Sequence, residues 1–250
     1  MKNLLLVAAS FLLCFTSLFV NAQKATWTKL FDGKTLKGWK QLGGNAKYTV
    51  EKGVIAGTTV AATPNSFLVT EKEYGDFILE LEALMPDTVT NSWTQFRRHL
   101  NPDSNDGKGR VYGYQYELDP SSRAWTAGIY DEGRRGWLYP LDLNAAAQKA
   151  YKRNAFNKVR VECIGNSIKT WINDVPASYL ADDADTKGFI ALQVHSIGKT
   201  TDAGKKILWK NIRIQTENLS PAPFPAHVFV VNNEPNTLKK KEKRNGWKLL

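Results

Sequence analysis

Acid, base and cation chemistry falls at short spacing in only a few places along this chain of 250 residues. The first is Glu117-Leu118-Asp119. Residues two apart in an extended strand point to one side, so the two carboxylates share a face, where they can divide acid and base roles or bind a divalent cation. Solvent-facing charges ahead of the turn at Pro120 are the alternative. The second is His195, which ends the run from Phe189 on the face of Gln193 and Ala191. Imidazole titrates near neutrality and suits proton abstraction, although a strand-end histidine can equally be a hydrogen-bonding anchor. The third is Arg97, whose alternation with Trp93, Gln95 and His99 sets a planar donor fork beside aromatic surface. That fork fits a ligand oxygen, or a cross-strand ion pair. Finally, Glu132, Arg134 and Arg135 sit among Gly133 and Gly136 in a segment that can close over a ligand or stay a solvated charge cluster. With no phosphate loop, nucleotide fingerprint or His-rich metal motif in view, the sequence signals no cofactor beyond a possible divalent cation at the carboxylates.

These side chains need strands to carry them. Phe77, Leu79 and Leu81 alternate with Glu80 and Glu82, and Val159, Val161 and Cys163 alternate with Arg160 and Glu162, the period of half-buried strands. Ile168 to Ile172 follows across a hairpin turn at Gly165-Asn166, and Asn173-Asp174 makes a second turn into Val175. Further strands are expected at 54–56, 66–69, 92–100, 111–118, 127–130, 189–195 and 207–215. One short helix is expected at 143–151, around three consecutive alanines. Many short strands and almost no helix define an all-β protein, an antiparallel sandwich or barrel. The 28 aromatic residues suit both sheet packing and stacking on sugars.

The ends of the chain point to export. Residues 1–22 have a basic start, an apolar run from Leu4 to Val20 and a Val20-Asn21-Ala22 ending, so a cleaved signal peptide with the cut after Ala22 is expected, and a periplasmic or secreted protein without stable membrane insertion. Leu13 before Cys14 and the apolar run after it argue against a lipid anchor there. The mature chain keeps only Cys163, so no internal disulfide is possible. Lys plus Arg exceeds Asp plus Glu by ten, but Lys239, Lys240, Lys241, Lys243, Arg244 and Lys248 concentrate half of that excess near the C-terminus. Charge collected in a tail argues against nucleic acid as the partner of a folded face. Residues 219–244 read as a Pro-rich then Lys-rich linker, and Trp247-Lys248-Leu249-Leu250 echoes Trp27-Thr28-Lys29-Leu30, as if a second similar domain began at 245–250.

An ordered set of short motifs carries a family resemblance. Phe31-Asp32-Gly33-Lys34-Thr35-Leu36-Lys37-Gly38-Trp39 resembles the opening signature of the 3-keto-disaccharide hydrolase family. Asn91-Ser92 with Phe96-Arg97, then Gly113-Tyr114, Gly128-Ile129-Tyr130, Phe156-Asn157, Trp171 with Asn173, Gly188 to His195 and Trp209 to Ile214 resemble its later signatures in order, over about residues 27–216. The resemblance implies a concanavalin-like jelly roll of two curved antiparallel sheets, with activity on 3-keto-glycosides: C2 proton abstraction, elimination at C1, then hydration. On that basis His195, Glu117 and Arg97 are the expected catalytic set. Asp119, Trp93, Gln95, Tyr114, Tyr130, Glu132, Arg134, Arg135 and Gln193 are the expected contacts to a keto-sugar. The chain departs from the family where Trp93 replaces a glycine and where Gln115 replaces the glutamate of a Gly-Tyr-Glu strand, the carboxylate moving to Glu117. A non-catalytic, lectin-like module on the same fold is the main alternative. A retaining glycosidase lacks its third acid, because Pro120-Ser121-Ser122 follows Asp119.

Overall fold

The computed structural model describes residues 26–85, 92–104, 109–198 and 202–233. The expected signal segment 1–22, Asn91, the end of the expected linker and the possible domain start at 245–250 lie outside the described residues. No helix among the described residues is long and apolar enough to cross a membrane.

Sixteen strands follow one another in the described residues: β1 (Thr28–Lys29), β2 (Trp39–Gly43), β3 (Lys47–Glu51), β4 (Val54–Thr58), β5 (Ser66–Tyr74), β6 (Phe77–Leu84), β7 (Ser92–Asn101) and β8 (Arg110–Leu118). Then come β9 (Ile129–Glu132), β10 (Gly136–Tyr139), a 3-10 turn at Leu141–Leu143 and the helix α1 (Ala145–Gln148). The chain continues with β11 (Asn157–Ile164), β12 (Ser167–Ile172), β13 (Val175–Ala181), β14 (Gly188–Val194), β15 (Lys206–Gln215) and β16 (Val230–Asn232). The expected helix shrinks to this single turn, started by Asn144, whose side chain accepts from the Ala147 amide at 3.2 Å.

The strands form two stacked sheets. One has nine strands, β16-β13-β12-β11-β6-β15-β4-β3 with β1 added beside β15; the other has seven, β10-β9-β8-β7-β14-β5-β2. All pairs are antiparallel except β13 with β16. The alternation read from β6 and β11 sends Phe77, Leu79, Leu81, Val159, Val161 and Cys163 inward, where they meet Phe96, Tyr116, Ile190 and Leu192 from the seven-stranded sheet. Each such side chain contributes roughly 1.5–3 kcal/mol through burial. Cys163 is part of this core, and burial pushes its thiol up to about 12, which leaves it without nucleophilic character near neutrality.

Residues 219–233 correct the linker reading. Phe224 packs edge-on against Trp171 and Tyr179, and the Ala222 amide donates to Glu162 at 2.8 Å. β16 then extends the sheet, and Tyr139 donates to the Phe229 carbonyl at 2.9 Å. Prolines predict an absence of regular pairing in this stretch but say nothing about which exposed aromatics of a finished sheet it covers.

One irregularity decides the site. Between Gln95 and His99 β7 takes four steps while β8, from Gln115 to Tyr112, takes three. This β-bulge is matched on β14, where Ala191 pairs with Gln95 but Phe189 with Arg98. Both neighbours accommodate it with glycine. A Cβ on Gly188 would stand 2.5 Å from the backbone of Arg97 and Arg98, and Gly113 on the other side holds φ +122.

Candidate functional site

The outward face of the seven-stranded sheet carries the cleft. Pairing of Trp93 with Glu117, and of Gln95 with Gln115 and Ala191, puts Trp93, Gln95, Gln115, Glu117, Tyr130 and Gln193 on that face, while Thr94, Phe96 and Tyr116 turn into the core. A depression of about 370 Å³ opens there. Trp93, Glu117 and His195 form one wall, Tyr130 and Trp137 another, and Arg123, Arg110 and Glu132 supply the remaining charge.

Trp93 links Glu117 and His195. Its ring lies 4.8 Å from the His195 ring, and its indole N–H donates to Glu117 Oε2. The other Glu117 oxygen accepts from Arg123 Nη2 at 3.1 Å. His195 is half-buried, and its Nδ1–H donates to the Ser196 carbonyl at 2.6 Å, which leaves Nε2 of the neutral ring as an acceptor. Arg123 comes from the loop after β8 and returns over the sheet. Its Nε donates to Asp119 at 2.7 Å, and its guanidinium lies over both Trp125 and Trp137, 4.7 and 5.0 Å from the ring centres. Glu117 and Asp119 do share a side, as spacing predicted, but the charge between them is a guanidinium. Asp119 itself stands behind Arg123, away from the cleft lining. Burial pushes its carboxyl upward, and hydrogen bonds from Ser121 and Arg123 outweigh that push, leaving it below the ordinary range. Among the described residues no cluster of three or more His, Cys, Asp or Glu could hold a metal ion.

A second set of polar groups supports the floor. Glu132 accepts from Asn65 at 3.0 Å, from Gln95 at 3.0 Å and from Arg98 Nη2 at 2.9 Å. Gln95 also donates to Gln193 at 2.6 Å. Gln95 and Gln193 are fully buried, so they brace Glu132 and do not line the cleft. Gln115, with its amide turned to satisfy its neighbours, joins Glu132 to Trp93.

Four expected residues are elsewhere. Arg97 is displaced by the bulge: at φ +46 and fully buried, it turns to the sheet end and donates to the carbonyls of Gly75 and Gly165 at 3.2 and 2.9 Å and to Asp76 at 3.1 Å. The extra residue turns Arg98 to the outer face of the sheet, where it is fully buried, pairs with Glu132 and lies 6.0 Å above Phe67. Tyr114 faces the core, stacked on Phe96, with its hydroxyl donating to Asp182. Arg134 and Arg135 also miss the cleft. Arg134 bridges Asp131 and Asp185, and Arg135 bridges Asp131 and Asp182 at 2.7 Å, pinning the β9–β10 hairpin to the segment after β13. Those aspartates are buried, and neither guanidinium is part of the cleft lining. Arg98, Arg110, Arg123 and Trp137 were the residues that sequence reasoning passed over. Arg123 had one usable signal, its four-residue spacing from Asp119.

A two-sheet sandwich with an aromatic and carboxylate cleft on one sheet face has the build of a carbohydrate-active protein. Its family is specific: the chain belongs to the 3-keto-alpha-glucoside-1,2-lyase-like domains, whose sequence profile matches residues 26–215. No curated protein matches the sequence. Among solved structures, a Parabacteroides distasonis protein provisionally called a glycosyl hydrolase is 19% identical with a TM-score of 0.52, aligned over 76% of this chain and 93% of its own. A Bacillus subtilis protein of unknown function with a galectin-like fold is 11% identical with a TM-score of 0.55, over 76% and 94%. A protein described as a native glycosidic hydrolase is 12% identical with a TM-score of 0.53, over 81% and 99%. At such identities the likeness is one of fold, a jelly-roll or galectin-like sandwich.

Proposed function

We propose that the cleft binds a 3-keto-α-glucoside and eliminates the group on C1. The ketone at C3 acidifies the hydrogen on C2. A base removes that proton, the C–H electron pair passes into the enolate, and the enolate expels the C1 oxygen, which takes up a proton from water and leaves as the free aglycone while the base returns its proton to solvent. The sugar product carries a C1–C2 double bond, and water added across it gives the 3-keto-sugar, so lysis and net hydrolysis share the first step.

The observation that carries this reading is the Trp93 bridge, which holds His195 and Glu117 side by side on one wall. His195 is the base in this scheme, since its Nε2 is an open acceptor while both Glu117 oxygens already accept hydrogen bonds. Arg123 takes the enolate-stabilising part first expected of Arg97, because it reaches the cleft with a charged planar fork. Glu117 fixes Arg123 and orients Trp93. The flat faces of Tyr130 and Trp137 offer stacking surface for the ring.

The test is incubation with methyl 3-keto-α-glucoside and with methyl α-glucoside in heavy water, followed by mass spectrometry against a no-enzyme control. Methanol release from the keto-sugar alone, with deuterium at C2 of any hydrated product, is the expected result. A hydrated product without C2 label above the control rejects elimination. Binding of the unoxidised glucoside with no turnover of the keto-sugar would make the protein a lectin-like module.

A further inference from the structure

A second, larger depression of about 1030 Å³ adjoins the cleft and shares Arg110 and Glu132 with it. We infer that this groove is the aglycone site and that it selects an apolar, ring-bearing leaving group over a second sugar. The inference rests on the lyase reading of the neighbouring cleft and deepens it.

The composition of the floor supports the choice. On the outward face of the same sheet, Phe67, Val69, Val111, Phe189 and Ala191 form an apolar cluster separate from the core, with Leu42 packed against it. Phe67, Val111 and Leu42 line the groove, and Leu100, 41% exposed, stands at its edge. Two polar side chains of the groove, Asn65 and Glu132, are already engaged. Asn65 donates to Glu132 and accepts from the Ser196 amide at 2.9 Å, and Glu132 also accepts from Gln95 and Arg98. A sugar placed here would find these two groups occupied and an apolar floor beneath it. A planar apolar group would instead remove the exposed faces of Leu100 and its neighbours from water. An apolar patch on a polar sheet face, continuous with a cleft, is the arrangement of a ligand pocket with a few orienting polar groups beside it.

The experiment compares 4-nitrophenyl, methyl and glucosyl 3-keto-α-glucosides as substrates of the wild type and of the Leu100→Asn and Val111→Thr variants, alongside calorimetric binding of 4-nitrophenyl and methyl α-glucoside. Hydrophobic pockets commonly discriminate by about tenfold or more for a small apolar change. The 4-nitrophenyl substrate should therefore show a KM at least about tenfold below the other two, and Leu100→Asn should erase much of that advantage, bringing the aryl KM toward the methyl one. If methyl and glucosyl substrates turn over as efficiently as the aryl one and neither variant matters, the groove proposal is overturned and the lyase reading survives. If nothing is turned over but the aryl glucoside still binds about tenfold more tightly than the methyl one, in a Leu100-dependent way, the groove stands and the lyase reading falls. Leu100 is exposed, so its variant does not threaten folding.

Discussion

Replacing Glu132 with Gln removes the carboxylate hydrogen-bonded to Arg98. Arg98 is fully buried, and burial, only partly opposed by Glu132, brings its guanidinium down to about 10. Breaking a buried pair by removing one partner costs about 3–5 kcal/mol, because the remaining charge loses its compensation. The Glu132 side chain is 18% exposed, so some water reaches the gap and the low end, about 3 kcal/mol, is expected. The substituted amide also turns its NH2 group toward either Asn65 or Gln95, each of which itself donates to Glu132. For a chain of this length each kcal/mol shifts the melting point by roughly 2–4 °C, so the variant should melt about 6–12 °C below wild type. Circular dichroism melts, checked by urea titration, measure it. Adding Arg98→Met should recover part of the loss, since an apolar side chain over Phe67 needs no counter-charge. A Glu132→Gln melt within about 2 °C of wild type, or a double variant no better than the single one, would refute this account of Arg98.

His195→Ala should lower kcat on a 3-keto-glucoside by about 100 to 10,000-fold, and Trp93→Phe, which keeps the ring but loses the donor to Glu117, by less; equal losses would remove His195 from the role of base. Arg97→Lys should destabilise by about 1–3 kcal/mol in urea unfolding, because the fork to Gly75, Gly165 and Asp76 is lost, while KM and kcat of the folded enzyme stay put; a selective loss of kcat would return Arg97 to the chemistry. Asp119 has a folded-state pKa below its ordinary 3.8, so its contribution to stability is full above that value and disappears as pH falls through the lower one. Asp119→Asn should accordingly flatten the stability profile below about pH 4, and parallel profiles in the two proteins would contradict the shift. We also propose export with cleavage after Ala22, which terminal mass analysis of the exported protein checks: Gln23 should be first, and a retained Met1 sinks the proposal.

What the sequence determined by itself is whatever depends on neighbours along the chain. The period-two alternation at Phe77–Leu81 and Val159–Cys163 is a property of a single strand, so it announced both the strands and their buried side. The turns Gly165-Asn166 and Asn173-Asp174 were equally legible, because φ is positive at Gly165, Asn173 and Asp174, positions where Gly, Asn and Asp are tolerated. The shared side of Glu117 and Asp119 and the place of His195 on the cleft face followed from the same local rule. The tertiary structure alone decided which arginine lies on the cleft side of the sheet. Alternation extrapolated from Trp93 and Gln95 selects Arg97, but one inserted residue reverses the sides, and a bulge exists only as a mismatch between paired strands, here accommodated by Gly113 and Gly188 from two distant parts of the chain. Arg134, Arg135 and Tyr114 were misread for a related reason. Their type suits a sugar site, yet Asp182 and Asp185 become their partners only when the segment after β13 is laid beside β8 and β9. Arg123 entered the site by the reverse route, from a loop without periodicity, because two carboxylates on a finished strand and two indoles beside it gave its charge a place to settle.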